Sequence, residues 1–196
     1  MSVVLVTSVG TAVGSRVAAA ALACAGSEPD RAGLLIDLGD TRPPRPSLIA
    51  TSGARELEER LTAHLPEESV ASRGSTCHLK LAGDENGIGQ IPAALPLVRD
   101  SVAVVRLPPH LLQPALEETR IRPTGALLIV DLTKDRALTA LAVRDLLDRD
   151  LRVAVLKRPL AWLTARRALL GALPGDANAL PPRLAHRLLA RGSDGP

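Results

Sequence analysis

Apolar positions along this chain fall into short runs that alternate with stretches of helical spacing. Val3-Val4-Leu5-Val6-Thr7 is apolar and largely β-branched, Ser8 to Gly14 contains two glycines, and Ser15 to Ala25 is Ala-rich. That succession predicts strand, glycine loop and helix. Gly33 to Leu38 predicts a second strand, and the Pro- and Arg-rich stretch Gly39 to Pro46 can only be a loop. From Ser52 to His64 the apolar residues Ala54, Leu57, Leu61 and Leu65 fall at helical spacing, and Pro66 marks the stop.

The alternation continues to the end of the chain. Strands are predicted at Cys77 to Leu81, Val102 to Leu107, Gly125 to Leu132 and Leu151 to Leu156. Helices are predicted at Ile88 to Val98, Leu111 to Glu118 and from about Asp135 to Asp148. Apolar strands separated by helices predict an α/β fold: a mostly parallel sheet of about six strands with helices on both faces. Pro159 to Arg191 reads as helical and basic, broken at Pro174-Gly175 and Pro181-Pro182. The expected organisation is one α/β domain over 1–158, with a basic helical extension over 159–196.

Composition narrows this picture. A chain of 196 residues can bury one sizeable core, and its 46% apolar content is carried by Ala, Leu and Val, with one Trp and no Phe or Tyr. The net charge of +3 is unevenly placed: residues 151–196 hold 8 Lys/Arg against 2 Asp, so the rest sums to −3. A basic tail can meet nucleic acid or anionic lipid, but base stacking would have only Trp162 and the histidines, so no nucleic-acid role is expected. The tail's Leu180, Leu184, Leu188 and Leu189 lie near Arg183, Arg187 and Arg191. This amphipathic pattern suits either a helix docked on the sheet, the favoured reading, or peripheral contact with a membrane.

Cys24 and Cys77 share no metal-ligand spacing, and reduced cytoplasmic thiols are expected. Leu22-Ala23-Cys24 faintly resembles a lipoprotein cleavage site, yet no basic segment precedes it and Arg16 interrupts the apolar stretch. No apolar run is long enough to span a bilayer. His64, His78, His110 and His186 are scattered, and the adjacent Cys77 and His78 would face opposite sides of a strand. Glu56, Glu58, Glu59 and Arg60 read as a solvated helix face.

Chemistry concentrates after the first strand. In parallel sheets ligands bind at the carboxyl ends of strands, where a glycine loop feeding a helix brings backbone N–H groups to a phosphate. Gly10, Thr11, Ala12, Val13, Gly14, Ser15 and Arg16 are placed for this. A working phosphate loop also carries a Lys and then a Ser or Thr for magnesium. Here Ser15 and Arg16 follow Gly14. The alternative glycine-loop enzymes, short-chain dehydrogenases, use a catalytic Tyr that this chain lacks.

The order of segments resembles the MinD/ParA family of phosphate-loop ATPases, including its CpaE/TadZ-type members of pilus assembly. Val4 to Ala23 is similar to that family's first strand, deviant Walker A loop and first helix. Leu34 to Leu38 is similar to its second strand, His78 to Ala82 to a short strand before Walker B, and Asp100 to Pro109 to the Walker B strand. Val153 to Pro159 resembles the late strand near the adenine. The resemblance implies a P-loop NTPase-like three-layer sandwich, and the departures from it fall on the chemistry. Ser15 stands at the P-loop lysine, Arg16 at the magnesium ligand and Gly10 at the signature lysine. Asp37 matches the first acid of the switch pair, Gly39 stands at the second with Asp40 one place out of register, and Arg106 occupies the Walker B aspartate.

Arginine where a carboxylate should support magnesium repels the metal. The resemblance therefore implies a non-hydrolysing relative, not an enzyme, with no cofactor expected. Such a protein would act as a localisation or scaffold component through protein contacts, as a homodimer or with other partners, in pilus or secretion assembly. The alternative is a regulator that binds ATP, ADP or another anion at the glycine loop without cleaving it. A third reading is an enzyme working at Asp37, the best acid–base candidate, with the loop Arg42 to Arg45.

Overall fold

The computed structural model describes residues 1–9, 14–28, 30–39, 49–66, 69–98, 101–130, 136–149 and 151–157. Its strands are β1 (Ser2–Ser8), β2 (Gly33–Leu38), β3 (Val70–Arg73), β4 (Thr76–Leu81), β5 (Val102–Leu107), β6 (Gly125–Val130) and β7 (Arg152–Lys157). The helices are α1 (Ser15–Ala25), α2 (Ser52–Thr62), α3 (Glu85–Ala94), α4 (Leu112–Glu117) and α5 (Arg136–Leu147). The strands form one sheet in the order β3-β4-β2-β5-β1-β6-β7. Every neighbouring pair is parallel except β3 with β4. The chain is thus an α/β protein with a mostly parallel sheet covered on both faces.

Six strands were expected and a seventh is present. β3 is four residues long and pairs antiparallel with β4 through a tight turn at Gly74, whose φ of 56° lies in the left-handed region. Its shortness hides it from periodicity, although Gly74-Ser75 is a hairpin signal. The helix expected from Ile88 begins earlier. Asp84 caps α3 by accepting from the Gly87 N–H at 3.0 Å, and a 3-10 turn over Leu95–Leu97 follows the helix. The expected basic extension, 159–196, lies outside the described residues.

Alternation along each strand divides the core in two. One face collects Leu5, Leu34, Ile36, Leu79, Val105 and Leu128 with buried residues of α2 and α3, and Leu116 and Leu146 of α4 and α5 belong to the same cluster. The other collects Val4, Val6, Leu35, Val104, Leu127 and Ile129 against α1. Completely burying each Leu or Ile contributes about 1.5–3 kcal/mol. Small residues let α1 lie close, with Ala18, Ala19, Ala21 and Ala23 all buried. A Cβ at Gly33 would sit 2.1 Å from the Ala23 carbonyl oxygen, so only glycine admits this approach.

Candidate functional site

The strand order decides where a ligand would bind. From β1 the chain crosses past β5 to β2, and from β5 it passes β1 to reach β6 on the other side. The loops leaving β1 and β5 therefore diverge, which opens a crevice at the carboxyl edge of the sheet. The Thr7 hydroxyl donates to the Leu107 carbonyl at 2.9 Å and ties β1 to β5 at this edge. Gly39, at φ 95°, follows β2 and packs on the segments after β4 and β5. A Cβ on Gly83 would fall 2.6 Å from the Gly39 Cα, and one on Gly39 would fall 3.0 Å from Pro108 Cγ.

Asp37 lies one residue before the end of β2, in this crevice. Register places it beside Arg106 of β5 and Lys80 of β4, so all three project on the α1 face. Arg106 Nη1 donates to Asp37 Oδ1 and also to the Leu38 carbonyl at 3.0 Å. Arg16, in the first turn of α1, brings its Nε to 3.4 Å from Asp37 Oδ2. The side chains of Asp37 and Arg106 are 11% and 17% exposed and that of Arg16 is 48% exposed, so the Arg106 pair is the shielded one. One carboxylate meets two guanidiniums and the trio keeps a net positive charge.

Several expectations are corrected by this geometry. Asp37 lacks an evident partner in the sequence, yet it is held by both arginines, and Arg16 turns toward it. Gly14, at φ 112°, caps the start of α1 without a side-chain bond, while Gly10, Thr11, Ala12 and Val13 lie outside the described residues, as do Asp40 and Arg42 to Arg45. Ser15 is buried in the first turn of α1. The supposed solvated face of α2 is partly engaged, because Glu58 accepts a hydrogen bond from Ser72. The sequence alone gives Lys80 no role, and only the register with Asp37 reveals its place.

The residues present do not fit magnesium bound as the resembled ATPases bind it. Both Asp37 oxygens face guanidiniums, those of Arg106 at the end of β5 and Arg16 at the start of α1. A cation placed there would meet positive charge on two sides. No group of three His, Cys, Asp or Glu able to hold a metal ion occurs among the described residues. No helix among them is long and apolar enough to cross a membrane.

His78 and Cys77 face opposite sides of β4, as strand geometry requires. The Cys77 thiol is pushed up to about 12 by burial and, after that, by the Glu58 carboxylate. It is therefore a protonated, unreactive core group at neutral pH. The half-buried His78 is pushed down from 6.5 to about 4 by burial first, then by Arg73 and Arg16. Thr76 gives its only hydroxyl hydrogen to the Arg73 carbonyl at 2.9 Å, so the 3.1 Å contact with His78 has the ring Nε2–H donating. The unfolded chain binds a proton on His78 below pH 6.5 and the folded chain resists it down to about pH 4. Stability present at neutral pH is thus lost progressively as pH falls through that window, by about 3 kcal/mol if fully expressed. Urea titrations of wild type and His78→Gln between pH 7 and pH 4 should show the slope flattened in the variant. An unchanged slope would assign the acid sensitivity elsewhere.

The fold and site together define a class: a doubly covered, mostly parallel-sheet protein with an arginine–aspartate–arginine bridge at the carboxyl edge of the sheet. No known family profile matches the chain, and no curated protein matches it. Among solved structures it is similar to the MinC:MinD cell division protein complex of Aquifex aeolicus, at 19% identity and a TM-score of 0.49, over 96% of this chain and 78% of that one.

Proposed function

We propose that this protein is a non-hydrolysing member of the MinD/ParA type that works by binding other proteins, as a localisation or scaffold component. The observation that carries this reading is the Asp37–Arg106 pair at the sheet edge, reinforced by Arg16. In the resembled ATPases these positions serve magnesium and the phosphates, whereas here they pair with one another. A surface suited to partners supports the reading: on α5, Leu138 and Leu141 lie three residues apart and are 51% and 47% exposed. The proposed partners include a second copy of the chain, and the setting implied by the resemblance is pilus or secretion assembly.

Thermal unfolding with and without ATP or ADP plus magnesium tests this directly. A nucleotide at a hundred times its dissociation constant adds about 2.7 kcal/mol, and no such gain is expected. Sedimentation of the same samples should show a dimer indifferent to nucleotide. A magnesium-dependent gain in stability, or phosphate release above that of buffer, would overturn the reading.

The alternative, an anion-binding regulator, is favoured by one specific feature. Arg106 Nε is buried and has no hydrogen-bond partner among the described residues, so the crevice holds a donor that none of them uses.

A further inference from the structure

Helix α5 carries more apolar surface than the sheet covers. Thr139 and Leu146 are its buried side chains, and Ala142 and Val143 pack on the core, whereas Leu138, Leu141 and Leu147 are exposed. A surface helix normally confines its leucines to the stripe that meets the core, so a second stripe marks a second contact. The order of residues along α5 says what that contact is. Read outward from a point between Thr139 and Ala140, the sequence gives Leu141 and Ala142 in one direction and Leu138 and Ala137 in the other. Two such helices laid antiparallel about a two-fold axis at that point set Leu138 of each copy against the partner's Leu141. The small Ala137 and Ala142 then meet on the flank and let the helices approach closely. Charge follows the same symmetry. Asp145 stands in the last turn of α5 and Asp148 just beyond it, at the end of a helix that disfavours carboxylates. Antiparallel pairing carries both to the start of the partner's helix, where the dipole favours them. The sequence before α5 extends the match: Lys134 and Asp135, which lie outside the described residues, stand opposite Asp145 and Arg144 in the reversed order.

We infer that α5 is a self-pairing surface on which a second copy of the chain docks antiparallel through Leu138 and Leu141. The inference rests on the reading of this protein as one that acts by protein contacts, and it assigns the contact with the second copy to a particular helix. That helix packs on the face of the sheet opposite Asp37 and Arg106, so the pairing does not depend on what the crevice holds. One pair of helices is small beside the roughly 1,600 Å² of a standard interface, so the dimer is weak and depends on concentration.

Sedimentation equilibrium of the full chain over a range of concentrations tests the proposal and should show monomer and dimer exchanging. Leu138→Lys and Leu141→Glu should each weaken association at least about tenfold. Both positions are exposed in the monomer, so circular dichroism of the variants should match that of the wild type. Ile49→Lys changes a still more exposed apolar side chain at the β3–β4 turn, near the opposite edge of the sheet, and should leave association unchanged. Mixing the Leu138→Lys and Leu141→Glu chains should restore association, because antiparallel order sets the introduced ammonium against the introduced carboxylate. A mixture that stays dissociated would overturn the proposal, as would equal losses from Leu138→Lys and Ile49→Lys. A wild type that is monomeric at every concentration would also overturn it and leave α5 to a different protein. Stabilisation of the wild type by magnesium-ATP would instead overturn the reading it rests on, so the two failures are distinguishable.

Discussion

Arg106→Glu should unfold at a clearly lower urea concentration than wild type, with a loss of about 3–5 kcal/mol at neutral pH. The substitution removes the guanidinium bound to Asp37 Oδ1 and to the Leu38 carbonyl, and places a second carboxylate beside the first. At 11% and 17% exposure these side chains have little water to replace what is lost. The contact from the half-exposed Arg16, at 3.4 Å, is weaker than the one removed. Like charges brought together resist ionising together, so part of the loss should be recovered as the solution is acidified. Removing both partners, with Arg106→Met and Asp37→Leu, should cost far less than either charge reversal, because no charge is then left without its counterpart. Denaturant midpoints followed by far-ultraviolet circular dichroism decide the matter. A loss below about 1 kcal/mol in Arg106→Glu would show that the bridge contributes no more than an exposed pair.

Gly33→Ala should be nearly as damaging, for a reason unrelated to charge. The added methyl would lie 2.1 Å from the Ala23 carbonyl oxygen and 2.9 Å from its carbon. Both are backbone atoms of α1, so relief requires the helix to move off the sheet, and the cost should be about 3 kcal/mol. The same change at Gly89, on the exposed side of α3 with nothing within 4 Å, should instead stabilise by about 0.5–1 kcal/mol through helix propensity. Opposite signs at the two glycines, read from thermal midpoints, would confirm that close approach sets the need for Gly33. Equal effects would show that chain flexibility dominates both.

Most of the architecture was legible because strand burial here is simple. β1, β2, β5 and β6 are buried on both faces, which a sequence expresses as largely apolar runs broken near their ends by Thr7, Asp37 and Arg106. β3 escaped because its four residues include Ser72 and Arg73 and only Val70 is buried. The site was legible only in part. Asp37 and Arg106 could each be placed near a strand end, but they are 69 residues apart, and their meeting depends on β2 and β5 being neighbours. Alternation of strands and helices specifies that a parallel sheet forms and leaves the strand order open. The contribution of Lys80 was hidden for the same reason, since β4 lies next to β2 only once that order is known.

The two buried clusters contain no aromatic ring, and the chain has a single Trp, at position 162, and no Tyr or Phe. The described core therefore absorbs nothing in the near ultraviolet and does not fluoresce. Light absorbed at the indole band reports only the surroundings of Trp162, which follows the last strand. Backbone circular dichroism reports the sheet and its helices. A partner that engages the basic C-terminal segment would change the first signal, whereas loss of the sheet would register in the second. The aliphatic interior thus leaves near-ultraviolet light to a single reporter at position 162.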